Sequence, residues 1–306
     1  MVLNIVTTNK EYDYNLLLDN TKVLLREYPF VEKNKIGFSV LGKELFSLKF
    51  GTGRKKIFIN ASHHGKEWIT SILVMSMLEK LCYLYKNKIC FRGFDISKIY
   101  EKTSLYICPM VNPDGVNLSI NGLTDDIPQI TKTRLISFNG ESKDFIGKWQ
   151  SNINGVDLNH NYNAGFNEGK ISESREKIFS PGPTKYSGTH PESEPESQAL
   201  VNFTKQVLPD IVISYHSQGE EIYYDFNGCI PKGAKRLSEI MEEITGYQPL
   251  KPTGMASFSG YKDWVIKEFG IPAFTIEVGK GENPLPVSQF DAIFDKNLPL
   301  LIYLMN

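Results

Sequence analysis

The chain has 306 residues, 41% hydrophobic and 12% aromatic, which is enough for one large globular domain over residues 1–306. Its 34 lysines and arginines against 35 acids give a formal charge of −1 with no long run of one sign, so neither nucleic acid nor a membrane surface is an expected partner. Four cysteines, Cys82, Cys90, Cys108 and Cys229, have no Cys-x-x-Cys spacing and are too few for a disulfide framework; they are expected to be reduced and mostly buried.

Met1-Val-Leu-Asn-Ile-Val6 has no basic segment, apolar core or small-residue cleavage site of a secretory signal, so the cytoplasm is the expected location. The β-branched run Lys56–Ser62 predicts a strand, and Trp68–Lys86 a helix. That helix is apolar, but Glu79 and Lys80 interrupt it, which suits a buried helix better than a membrane span. Ser104–Cys108 predicts a second strand. Residues 113–190 are rich in Asn, Gly, Ser and Pro and are expected to form long loops lining a site. Further on come a helix over Glu192–Val207, a strand over Asp210–Tyr215, helices over Lys232–Ile244 and Tyr261–Phe269, a strand over Ala273–Glu277 and a C-terminal helix over Val287–Met305. Near-continuous apolar strands alternating with amphipathic helices predict an α/β protein, a three-layer α/β/α sandwich whose central sheet is covered on both faces. No repeat, low-complexity tract or interdomain linker is evident.

Ser62-His-His-Gly-Lys-Glu-Trp68 falls between a strand and a helix, where α/β sheets place their sites. His64 and Glu67, with two residues between them, can turn an imidazole and a carboxylate toward one ion, two of the three protein ligands that a catalytic zinc needs. A third ligand should be a strand-end histidine. Of the five histidines, His216 fits best because it closes the apolar run Ile211–Tyr215. Taken singly, each has an ordinary explanation: a chance pair, a helix-capping Glu, a satisfied strand-end His.

In combination, and in order, the residues resemble the zinc carboxypeptidase family, peptidase M14. His64-x-x-Glu67-Trp-Ile-Thr70 resembles its first zinc motif, Asn112-Pro-Asp-Gly115 the following loop, Gly155-Val-Asp-Leu-Asn159 its substrate segment, His216-Ser217 the third ligand, and Phe274-Thr-Ile-Glu277 the strand with the catalytic glutamate. The likeness runs from about Tyr12 to near Phe290. It implies a zinc carboxypeptidase-like fold with a mixed, twisted sheet, and one Zn2+ held by His64, Glu67 and His216. Glu277 would be the general base, and Asp157 would orient His64. Lacking the likeness, Glu277 reads as a strand-end carboxylate in a salt bridge and Asp157 as an ordinary turn residue.

Three departures qualify the resemblance. The family's Asn-Arg, which grips a substrate's C-terminal carboxylate, is here Asn159-His160, so that grip is weakened. Where the family has Arg or Lys after a Trp to stabilise the oxyanion, Trp149 is followed by Gln150, a neutral donor; Arg134 or Lys148 from the same region could supply the charge. Lys262 falls at the position resembling the pocket floor, which suggests a substrate side chain ending in a carboxylate, although a solvated lysine near a helix start is the plainer reading.

Tyr186–Glu196, His216–Tyr223, Gly260–Trp264 and Gly281–Pro286 resemble more closely the γ-D-glutamyl-meso-diaminopimelate peptidase I group, γ-D-glutamyl-L-diamino acid endopeptidases of bacteria. That implies cleavage of peptidoglycan stem peptides before diaminopimelate, with Lys262 and the acids Glu220 and Glu221 as partners of its zwitterionic side-chain end. The chain leaves no room for a wall-binding module before Tyr12, so soluble muropeptides are the expected substrates. The rivals are a carboxypeptidase for acidic C-terminal residues and a catalytically silent zinc or muropeptide-binding protein.

Overall fold

The computed structural model of the protein describes residues 5–306. In chain order the elements are α1 (Tyr14–Glu27), β1 (Glu32–Phe38), β2 (Glu44–Phe50), β3 (Lys55–Ala61), α2 (Ile69–Lys86), α3 (Ile96–Lys102), β4 (Thr103–Cys108), α4 (Pro113–Asn121), α5 (Gln129–Phe138), α6 (Phe166–Arg175), α7 (Pro195–Val207), β5 (Ile211–His216), β6 (Glu221–Tyr223), α8 (Ala234–Thr245), β7 (Gln248–Leu250), α9 (Tyr261–Phe269), β8 (Ala273–Glu277) and α10 (Phe290–Met305). The strands form one mixed sheet in the order β1-β2-β4-β3-β5-β8-β6-β7. Its centre, β4-β3-β5-β8, is parallel, whereas β1, β2 and β6 join antiparallel.

Side chains alternate across this sheet as the two-residue period of a strand requires. Ile57, Ile59 and Ala61 of β3 point into the larger core with α1, α2 and α10, while Phe58 between them joins α7 and α9 in a second core on the other face. The expected α/β sandwich is therefore present, with both faces of the parallel strands dry. From β3 the chain continues to β4 on one side, and β5 then adds on the other side. The C-terminal end of β3 is thus a topological switch point, where α/β sheets open a crevice.

The apolar helix over 68–86 is α2, buried along nearly its whole length. Glu79, one of its two interrupting charges, accepts the backbone N–H groups of Ile5 and Val6 at 2.9 Å each and so fastens the start of the described chain to the helix. Among the described residues no helix is long and apolar enough to cross a membrane.

Two expectations need correction. Residues 113–190 are not loop throughout: they contain α4, α5 and α6. The start of α4 is an Asn cap followed by Pro at the first helical position, with Asn112 Oδ1 accepting Gly115 N–H at 2.9 Å. The cysteines are all free, but only Cys82 and Cys108 are buried; Cys90 and Cys229 are exposed.

Candidate active site

The turn from β3 into α2 is drawn tight by Ser62, whose backbone adopts a left-handed φ of 51°. Its N–H donates to Thr70 Oγ1 at 3.0 Å, its hydroxyl lies 2.7 Å from Ser71 Oγ, and Thr70 Oγ1 donates to Glu67 O at 2.7 Å, so the first turn of α2 is tied back to the strand end. Gly65 must be glycine: a Cβ there would lie 2.5 Å from Gly115 O and 2.7 Å from Trp149 O, both backbone atoms. This close approach lets Gly65 N–H donate to Gln150 O at 2.8 Å, while Asn112 Nδ2 donates to His63 O at 3.0 Å. The Asn112-Pro-Asp-Gly115 segment and the 149–157 segment thus clamp the turn from two sides.

The clamped turn separates its two histidines. His63 points into the smaller core, Nε2 3.0 Å from Tyr162 Oη, whereas His64 faces the crevice. His64 Nδ1 lies 2.8 Å from Glu67 Oε1, and His216 Nδ1, at the end of β5, lies 3.1 Å from Glu67 Oε2. All three residues are buried, and their donor atoms fall within 4.8 Å of one another. Two imidazole nitrogens and a carboxylate converging on one point, with a side left open, are the donor set of a catalytic zinc.

The electrostatics agree with a cation position. Burial would raise the Glu67 carboxyl, but His64 and His216 pull it down to about 2. Burial would equally depress the His64 imidazole, but Glu67 and Asp157 hold it well above its usual value. His216 is lowered, burial outweighing Glu67. Asp157 accepts at 3.1 Å from His64 Nε2, and its other oxygen accepts from Lys185 N–H at 2.9 Å and Gln150 Nε2 at 3.0 Å. His64 is thereby oriented by a carboxylate that is itself fixed, as metal-binding histidines commonly are.

Glu277 ends β8 directly beside His216 of β5 and opposite Glu221 of β6. Burial, reinforced by the Glu67 and Glu221 carboxylates, pushes its carboxyl well above the usual range. On one side of Glu277 opens a pocket of about 120 Å³ that includes Asn159, His160, Lys262 and Asp263. The buried Lys262 ammonium donates to Asp225 O and Asp263 Oδ1, and Asp263 Oδ2 accepts Gly260 N–H at 3.1 Å. An ammonium has three donors, so one remains for the pocket. Asn159 Oδ1 accepts Tyr261 N–H at 3.0 Å and carries the start of α9 to the pocket wall.

Three of the residues considered for the oxyanion are engaged elsewhere. The Gln150 amide is committed to Asp157, the exposed Arg134 bonds Asn154 Oδ1 at 3.3 Å, and the exposed Lys148 pairs with Asp144. Glu220 is also unavailable to substrate, because Lys280 and Lys296 pair with it at 3.1 and 2.6 Å. Apart from the local Lys148–Asp144 pair, these contacts depend on how the segments between strands fold back, and sequence spacing carries no sign of them.

The geometry defines a buried metal centre of two histidines and one glutamate with a further carboxylate, Glu277, beside it. The sequence profile of the zinc carboxypeptidase family matches residues 18–299, and the chain belongs to that family as a zinc metallopeptidase with one zinc. Gamma-D-glutamyl-L-diamino acid endopeptidase 1 of Lysinibacillus sphaericus is 36% identical over 97% of this chain and 73% of its own length. In fold, the chain resembles thrombin-activatable fibrinolysis inhibitor (TM-score 0.72, 19% identity, 97% of this chain and 74% of that one). It also resembles murein-tripeptide amidase of Escherichia coli O157 (TM-score 0.56, 18% identity, 90% and 91%).

Proposed function

We propose that this protein hydrolyses the amide bond between γ-D-glutamate and diaminopimelate in peptidoglycan stem peptides, with His64, Glu67 and His216 holding the zinc and Glu277 as general base. The observation that carries the substrate reading is the Lys262–Asp263 pair flooring the pocket beside Glu277. A diaminopimelate side chain ends in a carboxylate and an ammonium, and a buried pair of opposite charges offers a partner to each. The named activity of the Lysinibacillus relative supports the same reading.

Zinc at this site supplies Lewis acidity, polarising the scissile carbonyl and lowering the pKa of water from about 16 toward about 7. Glu277 takes the proton from the attacking water and delivers it to the leaving nitrogen of diaminopimelate. Burial and the neighbouring Glu67 and Glu221 carboxylates raise its proton affinity above that of an ordinary carboxylate, which favours taking up that proton. Asp157 keeps His64 turned inward, and Asn159 and His160 line the entrance on the leaving-group side.

A carboxypeptidase for acidic C-terminal residues would use Lys262 too, but with His160 in place of a bidentate arginine its hold on a terminal carboxylate is weaker. The test compares the zinc-loaded protein on L-Ala-γ-D-Glu-meso-diaminopimelate with an α-linked peptide ending in Glu. Release of free diaminopimelate from the first, with little cleavage of the second, is the expected result; cleavage of the α-linked peptide alone would remove the proposal.

A further inference from the structure

A second pocket, of about 520 Å³, opens beside the first, and Glu277 and Tyr223 belong to both. Ser217, Gln218, Glu221, Asn283 and Lys66 also line it. Lys66 leaves the clamped turn between two metal ligands: His64 and Glu67 converge on the zinc position, while Lys66, one of the two residues between them, extends into this pocket. The other lysines near the crevice are paired, Lys262 with Asp263, and Lys280 and Lys296 with Glu220. Among the described residues the Lys66 ammonium makes no ion pair and donates no side-chain hydrogen bond, although it is half-buried.

If the leaving group occupies the pocket floored by Lys262, the acyl part of the substrate occupies this one. A γ-linked glutamyl residue differs from an α-linked residue in one respect that matters here. Its α-carboxylate stays free, on a short aliphatic stem from the scissile carbonyl. Glu221, Glu277 and Glu282 disfavour an anion in this pocket, and among the described residues Lys66 is the one cation that lines it. Resting on the proposed function, we infer that Lys66 binds the free α-carboxylate of the γ-linked glutamyl residue and thereby fixes which carbonyl meets the zinc and Glu277. Like-charge repulsion elsewhere in the pocket makes this a one-register arrangement.

The test uses two substrates, L-Ala-γ-D-Glu-meso-diaminopimelate and its analogue with the α-carboxylate amidated, with wild type, Lys66→Met and Lys66→Arg. Wild type should prefer the free acid in kcat/KM by roughly 10- to 100-fold, the range of a hydrogen bond to a charged group. In Lys66→Met the preference should collapse to near one, and Lys66→Arg should retain most of it. Because the ratio is taken within each variant, any change in zinc content cancels. Equal losses on both substrates in Lys66→Met, as a role at the developing oxyanion would cause, overturn the inference, as does a wild type indifferent to amidation. A wild type that cuts α-linked peptides and neither γ-linked substrate removes the proposed function itself, and the inference with it.

Discussion

Asp157 Oδ1 stands 3.1 Å from His64 Nε2, and because an ionised carboxylate can only accept, Nε2 carries the hydrogen and Nδ1, on the Glu67 side, is the nitrogen that can bind the metal once its own proton leaves. Asp157→Asn keeps the shape but replaces this acceptor with an amide that can donate to Nε2, favouring the tautomer with its hydrogen on Nδ1. Zinc affinity, measured by chelator competition, should fall about 10- to 100-fold with little loss of secondary structure. Unchanged affinity would show that the contact does not orient the ligand.

Removing zinc exposes a second consequence of the same contact. In the metal-free protein His64 titrates well above its usual value, because Glu67 and Asp157 outweigh its burial, so a proton occupies the metal's place. Zinc must displace it. Apparent zinc affinity should therefore rise with pH through the range below that raised value, with release of about one proton per zinc. Calorimetric titration in buffers of different ionisation enthalpy measures the proton count, and a count near zero at neutral pH would contradict the raised value.

Much of this site was legible in the sequence, because its ligands lie at the ends of the most regular strands. The run Ile211-Val-Ile-Ser-Tyr215 placed His216, Ala273-Phe-Thr-Ile-Glu277 placed Glu277 by ending on it, and His64 and Glu67 sit in the one turn between an apolar strand and an apolar helix. The edge strand β1, Glu-Lys-Asn-Lys-Ile-Gly-Phe, escaped because it is mostly exposed and lacks a hydrophobic period. The α4 helix had a readable cap in Asn112-Pro113, overridden by the Asn- and Gly-rich composition around it. The engagement of Gln150 with Asp157, seven residues on, depends on the turn between them and leaves no pattern in the chain.

Glu277→Gln removes the proton acceptor while keeping an isosteric side chain at the end of β8. Turnover should fall by about 10²- to 10⁴-fold with one zinc still bound, because His64, Glu67 and His216 are untouched. Metal analysis of the purified variant and single-turnover cleavage of L-Ala-γ-D-Glu-meso-diaminopimelate make the check. Near-normal turnover would remove Glu277 as base, and turnover lost together with zinc would mean that Glu277 supports the metal site instead.

Glu196, away from the metal, gives the clearest pH dependence of stability. Its carboxyl is fully buried, accepting Val40 N–H at 3.1 Å and Asn152 Nδ2 at 3.2 Å; burial and the nearby Asp114 and Glu194 push it up to about 8 from an ordinary 4.5. The folded state therefore holds a proton that the unfolded state has lost. The resulting stabilisation is complete below pH about 4.5 and disappears as pH rises to about 8, a change on the order of a few kcal/mol at about 1.4 per unit. Glu196→Gln removes the titration but leaves an amide facing one of two donors, a fixed cost of about 1–3 kcal/mol. The difference in melting temperature, variant minus wild type, should accordingly climb between pH 5 and pH 8 and then level off, whatever its sign at pH 5. A difference that stays flat across that range would mean Glu196 is ionised in the folded protein and is matched by its two donors after all.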